Sequence, residues 1–90
     1  MLMKSENATQ AFPLAMAGVG EWVKIAGVTG GKNLIKRLIA MGLIENTELQ
    51  VLQRQRGTGL IVACGETRLA LGIGMANKIK VVPKSGEFQL

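Results

Sequence analysis

The sequence predicts a mainly β fold, a small and partly open barrel with one inserted α-helix. Three observations carry that expectation. Stretches with two-residue apolar alternation recur through the second half of the chain, separated by glycine-bearing turns. A single stretch, from Asn33 onward, changes to a 3.6-residue period. Ninety residues with 48% apolar content make one domain and fill one small core with little to spare.

The elements follow in order. "FPLAMAGVG", with Pro13 and two glycines, reads as a lead-in strand and a turn. In "EWVKIAGV", Val23 and Ile25 alternate with Trp22 and Lys24, and Gly27 interrupts the alternation as a bulge or strand end does. Thr29 or Asn33 is a candidate helix cap. Leu34, Leu38 and Met41 share one helix face, and Ile35 and Ile39 form a second row, so the apolar arc spans about 160°. Gly42 supplies the left-handed stop, and Leu43 folds back onto the last turn. "ELQVLQRQ" and "LIVACG" form a hairpin across "RGTG", and "TRLALG" adds a third strand after Gly65-Glu66. "GMANK" is expected to cross as a 3₁₀ segment into "KIKVV", which Pro83 ends.

Five or so short strands joined by short turns, with the helix after an early strand, favour an SH3-like barrel, with an OB-fold as the competitor. Residues 11–84 are expected to form the folded unit, with flexible segments at 1–10 and 85–90.

Composition removes several function classes. "AGVTGGKN" approaches a phosphate-binding loop, but Asn33 stands where the loop needs a hydroxyl for magnesium, and all six acidic residues are glutamate. The chain has no His, which removes the commonest general base and metal ligand, and its single Cys excludes an internal disulfide. No catalytic residue, metal site or cofactor is expected. The longest apolar runs, such as "LIVAC", fall far short of the roughly 20 residues of a membrane helix, and the polar N-terminus does not read as an export signal, so a cytoplasmic location is expected. The net charge of +5 admits a nucleic-acid-binding barrel as the alternative function. Its cations are scattered, however, and only Phe12, Trp22 and Phe88 are aromatic.

The order of features resembles one family. A strand ending "IAGV", a helix ending "LIAMGL", then "ELQVL", a Gly-rich turn, "LALG" and "MANKIKVV" are similar to the ferrous iron transport protein A family, FeoA, from Phe12 to Val82. Glu45-Asn46 departs from the Pro-Gly common there, although Asn tolerates left-handed backbone angles. The resemblance implies a small cytosolic SH3-like accessory protein of ferrous iron uptake. It would bind the membrane ferrous iron permease FeoB, which carries a cytosolic G-protein domain, and be recruited to the inner membrane face through it. The same barrel also occurs as a C-terminal domain of metal-dependent repressors, but a stand-alone accessory protein is expected here.

Candidate site residues follow from that partner. The row Ile35 and Ile39, with Lys36 and Arg37 beside it, suits a transient protein interface if the helix does not bury both rows. Arg54 and Arg56 flank the hairpin turn, where one can act as an arginine finger or simply be solvated. Trp22 is either a partner anchor or a plug for one barrel end. Cys64, Met41 and Met75 read as core fillers rather than iron ligands. Titration with magnesium and GTP, or with ATP, is expected to give no heat of binding; micromolar affinity would contradict the reading of Asn33.

Overall fold

The computed structural model describes residues 11–84. Both flexible segments expected at the termini lie outside the described residues. Within them the order is β1 (Phe12–Pro13), a 3₁₀ turn (Leu14–Met16), β2 (Trp22–Val28), α1 (Lys32–Ala40), β3 (Glu48–Gln55), β4 (Gly59–Cys64), β5 (Thr67–Gly72), α2 (Ile73–Lys78) and β6 (Ile79–Pro83).

The six strands form one sheet in the order β1-β6-β2-β3-β4-β5, and every neighbouring pair is antiparallel. The edge strands β1 and β5 do not pair, so the barrel is open. The 3₁₀ turn and α2 pack on each other in that region, and α2 also touches β4 and β5.

Alternation places the core. Val23 and Ile25 of β2, Leu49 and Val51 of β3, Leu60 and Val62 of β4, and Ile79 and Val81 of β6 are all buried. Leu14, Ala15, Ala17, Leu38, Leu43, Leu71 and Ala76 complete the same cluster. Cys64 stands half-buried against it, in line with Leu60 and Val62.

Helix α1 ends as its sequence dictates. Gly42 takes φ +83°, its N–H donates to the Ile39 carbonyl at 2.9 Å, and Leu43 donates to Leu38 at 2.8 Å. This pair of bonds is the Schellman motif, and the accompanying apolar contact joins Leu43 to Leu38. The next turn then brings the chain into β3: Thr47 donates to the Ile44 carbonyl at 3.0 Å, and Asn46 donates to Ile25 of β2 at 2.8 Å. Asn46 holds φ +74°, the left-handed angle that its type II-like position requires.

The expected lead-in strand and turn are both present: the strand ends at Pro13, which has no N–H to continue a ladder, and Leu14 starts a 3₁₀ turn closed by Ala17 N–H at 3.0 Å. Two expectations are corrected. Neither Thr29 nor Asn33 caps α1. The helix starts at Lys32 behind Gly31 with no side-chain cap, while the Thr29 N–H is taken by the Lys78 carbonyl at 2.8 Å. The crossing before β6 is α-helical rather than 3₁₀, because it begins at Ile73 and so gains the length to bury Ala76.

Two register shifts interrupt the sheet. Ala26 is the extra residue in β2 against β6, beside the Gly27 that interrupts the alternation. Leu52 is the extra residue in β3 against β4, so Val51 pairs Val62 while Arg54 pairs Leu60. Asn46→Ala is expected to cost about 1 kcal/mol in chemical denaturation and Asn46→Gly nothing comparable; equal losses would mean that the backbone angle is not what holds Asn at this turn.

Candidate functional site

Helix α1 faces the core with one fully buried side chain, Leu38, flanked by the half-buried Leu34 and Met41. The second apolar row is outside: Ile35 is 38% exposed and Ile39 56% exposed. Ile44, lifted out by the turn after the Schellman cap, is 51% exposed. With Val28 at the end of β2, these residues border a groove of about 250 Å³ floored by Leu38 and Leu43, with Glu45 at its margin. Lys32 and Lys36 stand one helical step from Ile35 and Ile39, on the solvent side. The arrangement is an apolar slot whose one charged lining residue is Glu45.

The sequence-predicted residues are thus divided. Ile35 and Ile39 come together at the groove, while Lys36 is exposed on the neighbouring solvent face of α1. Arg37 lies on the opposite flank of α1, facing Met75 and Lys78 of α2. Arg54 is elsewhere again, and it has internal partners: its Nη1 donates to the carbonyls of Ala15 at 2.8 Å and Ala17 at 2.6 Å. The bulge at Leu52 explains this, since unbroken alternation would put Arg54 on the outer face with Gln50, and the extra residue turns it to the side of Leu60. That duty accounts for Arg54 without a partner protein and leaves Arg56 alone at the exposed hairpin end.

Trp22 plugs nothing. It is 47% exposed on the outer face of β2, and Lys84 Nζ sits 5.2 Å from its ring centroid while pairing with Glu48 at 3.1 Å. Met41 and Met75 are half-buried against the core. Among the described residues no group of three or more His, Cys, Asp and Glu comes together, and no helix is long and apolar enough to cross a membrane.

Sequence reasoning missed Ile44 and Val28. The signal for Ile44 was the pair Leu43-Ile44 after Gly42: only one of two successive apolar residues can fold under the helix, so the other is exposed. Val28 carried no comparable mark.

The profile of the FeoA domain matches residues 12–83. The chain belongs to the FeoA family. A protein of Methanocaldococcus jannaschii named "Putative Fe(2+) transport protein A" is 36% identical over 70 residues, covering 78% of this chain and 84% of that one. The crystal structure of an iron uptake regulatory protein, FeoA, superposes with a TM-score of 0.75 at 30% identity, covering 80% of this chain and 96% of that one. The fold also recurs in a manganese-dependent transcriptional repressor, with a TM-score of 0.76 at 23% identity over 81% of this chain and 41% of that one. Family membership brings with it the small, partly open β fold seen in the solved FeoA structure.

In this FeoA-family chain the Arg54 contacts fix the 3₁₀ turn onto β3, together with Gly20 N–H to the Val51 carbonyl at 2.7 Å. Arg54→Ala removes a charged donor from two carbonyls and is expected to cost about 2 kcal/mol. Arg56→Ala is expected to stay within about 0.5 kcal/mol. Paired urea titrations check both, and a neutral Arg54→Ala would deny the anchoring role.

Proposed function

We propose that this protein is a cytosolic regulatory subunit of ferrous iron uptake that binds the membrane permease FeoB and performs no chemistry of its own. The contact is the groove bordered by Ile35, Ile39 and Ile44. Its support is one observation: a helix with a single fully buried side chain leaves Ile35 and Ile39 exposed, and with the exposed Ile44 beyond its end they surround a preformed apolar slot. Scattered exposed apolar residues are ordinary on a protein surface, but a contiguous set around a concavity marks an interaction site. Lys32 and Lys36, exposed on the neighbouring solvent face of α1, suit an acidic surface on the partner and speed encounter more than they add affinity. The family supplies the process, and the permease is the membrane component on which an accessory protein of that process would act. Recruitment to the inner membrane face then follows from the partner, with no lipid contact required.

The test separates interface from core. Ile39→Ser is expected to weaken binding to the permease's cytosolic domain at least tenfold, while costing well under about 1 kcal/mol of stability, as surface changes do. A core residue such as Leu38 changed to Ala should instead lose about 2–5 kcal/mol. Pull-downs with the permease, with its G domain present and deleted, locate the contact. A binding loss that tracks a fall in melting temperature would defeat the assignment. Tighter binding to oligonucleotide than to permease, falling steeply with salt, would replace it with the nucleic-acid function.

A further inference from the structure

A second cleft lies on the other flank of α1, away from the groove bordered by Ile35 and Ile39. Leu34 and Arg37 face Gly74, Met75 and Lys78 of α2 across about 250 Å³ of space. The floor is apolar, since Leu34 and Met75 are half-buried and pack against the core. The rims are cationic: Arg37 stands in the last turn of α1 and Lys78 in the last turn of α2, both exposed. Among the described residues neither meets a carboxylate, and none lines the cleft.

The backbone of the Lys78 rim is tied down, since its carbonyl accepts the Thr29 N–H at 2.8 Å. A Cβ at Gly30 would lie 2.8 Å from Leu34 Cδ2, so the bare glycine leaves room for Leu34 at this end of the cleft. At Gly74 the opposite holds: a Cβ there would meet nothing within 4 Å, and the wall stays open to an approaching backbone.

We propose that this cleft is a second docking site, for a protein segment in which an apolar side chain is flanked by carboxylates. The apolar side chain covers Leu34 and Met75, and Met adapts readily to its shape. The carboxylates meet Arg37 and Lys78 as water is displaced, which strengthens the attraction. The space is below the roughly 300–1,000 Å³ of small-molecule sites, so it suits side chains rather than a cofactor. Two cations with no aromatic platform between them do not make a nucleic-acid groove. The inference is independent of where the permease binds.

The probe is a fluorescein-labelled peptide of repeated Glu-Leu-Glu, titrated onto the full chain at low salt and followed by anisotropy and amide NMR shifts. Saturable binding is expected, with shifts centred on Leu34, Gly74 and Met75. Arg37→Glu and Lys78→Glu should each weaken it at least tenfold, and Arg68→Glu, an equal charge change on β5, should leave it within twofold. Arg37→Gln, which introduces no repulsion, should weaken binding several-fold at an unchanged melting temperature, so the test survives any loss of folding in the reversals. The proposal is overturned if Arg68→Glu weakens binding as much as Arg37→Glu. It is equally overturned by shifts confined to the Ile35 and Ile39 groove, or by a single-stranded oligonucleotide that occupies the cleft more tightly than the peptide.

Discussion

The bond from Leu43 N–H to the Leu38 carbonyl, made possible by the left-handed angle at Gly42, decides the surface of this molecule. Had α1 continued, Leu43 would stand about 140° from Leu38 around the helix and face solvent. The stop instead sends Leu43 under the helix, where it and Leu38 share the core. Two leucines thus hold α1 against the sheet from its last turn, and the row Ile35 and Ile39 is left outside. The same stop lifts Ile44 into the open and gives the groove its third wall. A longer helix would have left Leu43 outside and erased the slot.

What is legible in the sequence is what repeats. The alternation of Leu49 with Val51 and of Leu60 with Val62 defines the β3–β4 hairpin, the change of period at Asn33 marks the helix, and Gly42 marks its end. Elements set by single events are harder to read. The 3₁₀ turn at Leu14 has no period of its own and is defined by tertiary contacts, among them the Arg54 guanidinium 37 and 39 residues away. The second helix reads too short because Ile73, its first residue, looks like an extension of the preceding alternation. The bulge at Leu52 leaves no mark in the composition of β3, yet it changes the side on which Arg54 emerges.

The candidate site shows the same division. Ile35 and Ile39 can be picked from the helix alone because a wide apolar arc exceeds what one small sheet can cover. The cations cannot be assigned by proximity in sequence. Lys36 and Arg37 are neighbours in the chain, but 100° per residue separates them: Arg37 lines the cleft beside α2, while Lys36 lines neither concavity and faces solvent. Arg54, a surface charge by its sequence, spends its donors on the fold's own backbone.

The antiparallel pairing of β1 with β6 sets Phe12 beside Val81 and Pro13 beside Lys80. Entry to and exit from the folded unit therefore share one corner of the sheet. A unit built this way is portable: a host chain can carry it at either end, or within itself, by supplying connections at that corner alone, and no strand order need change. The sealing of its two ends against each other makes the barrel a part that evolution can move whole.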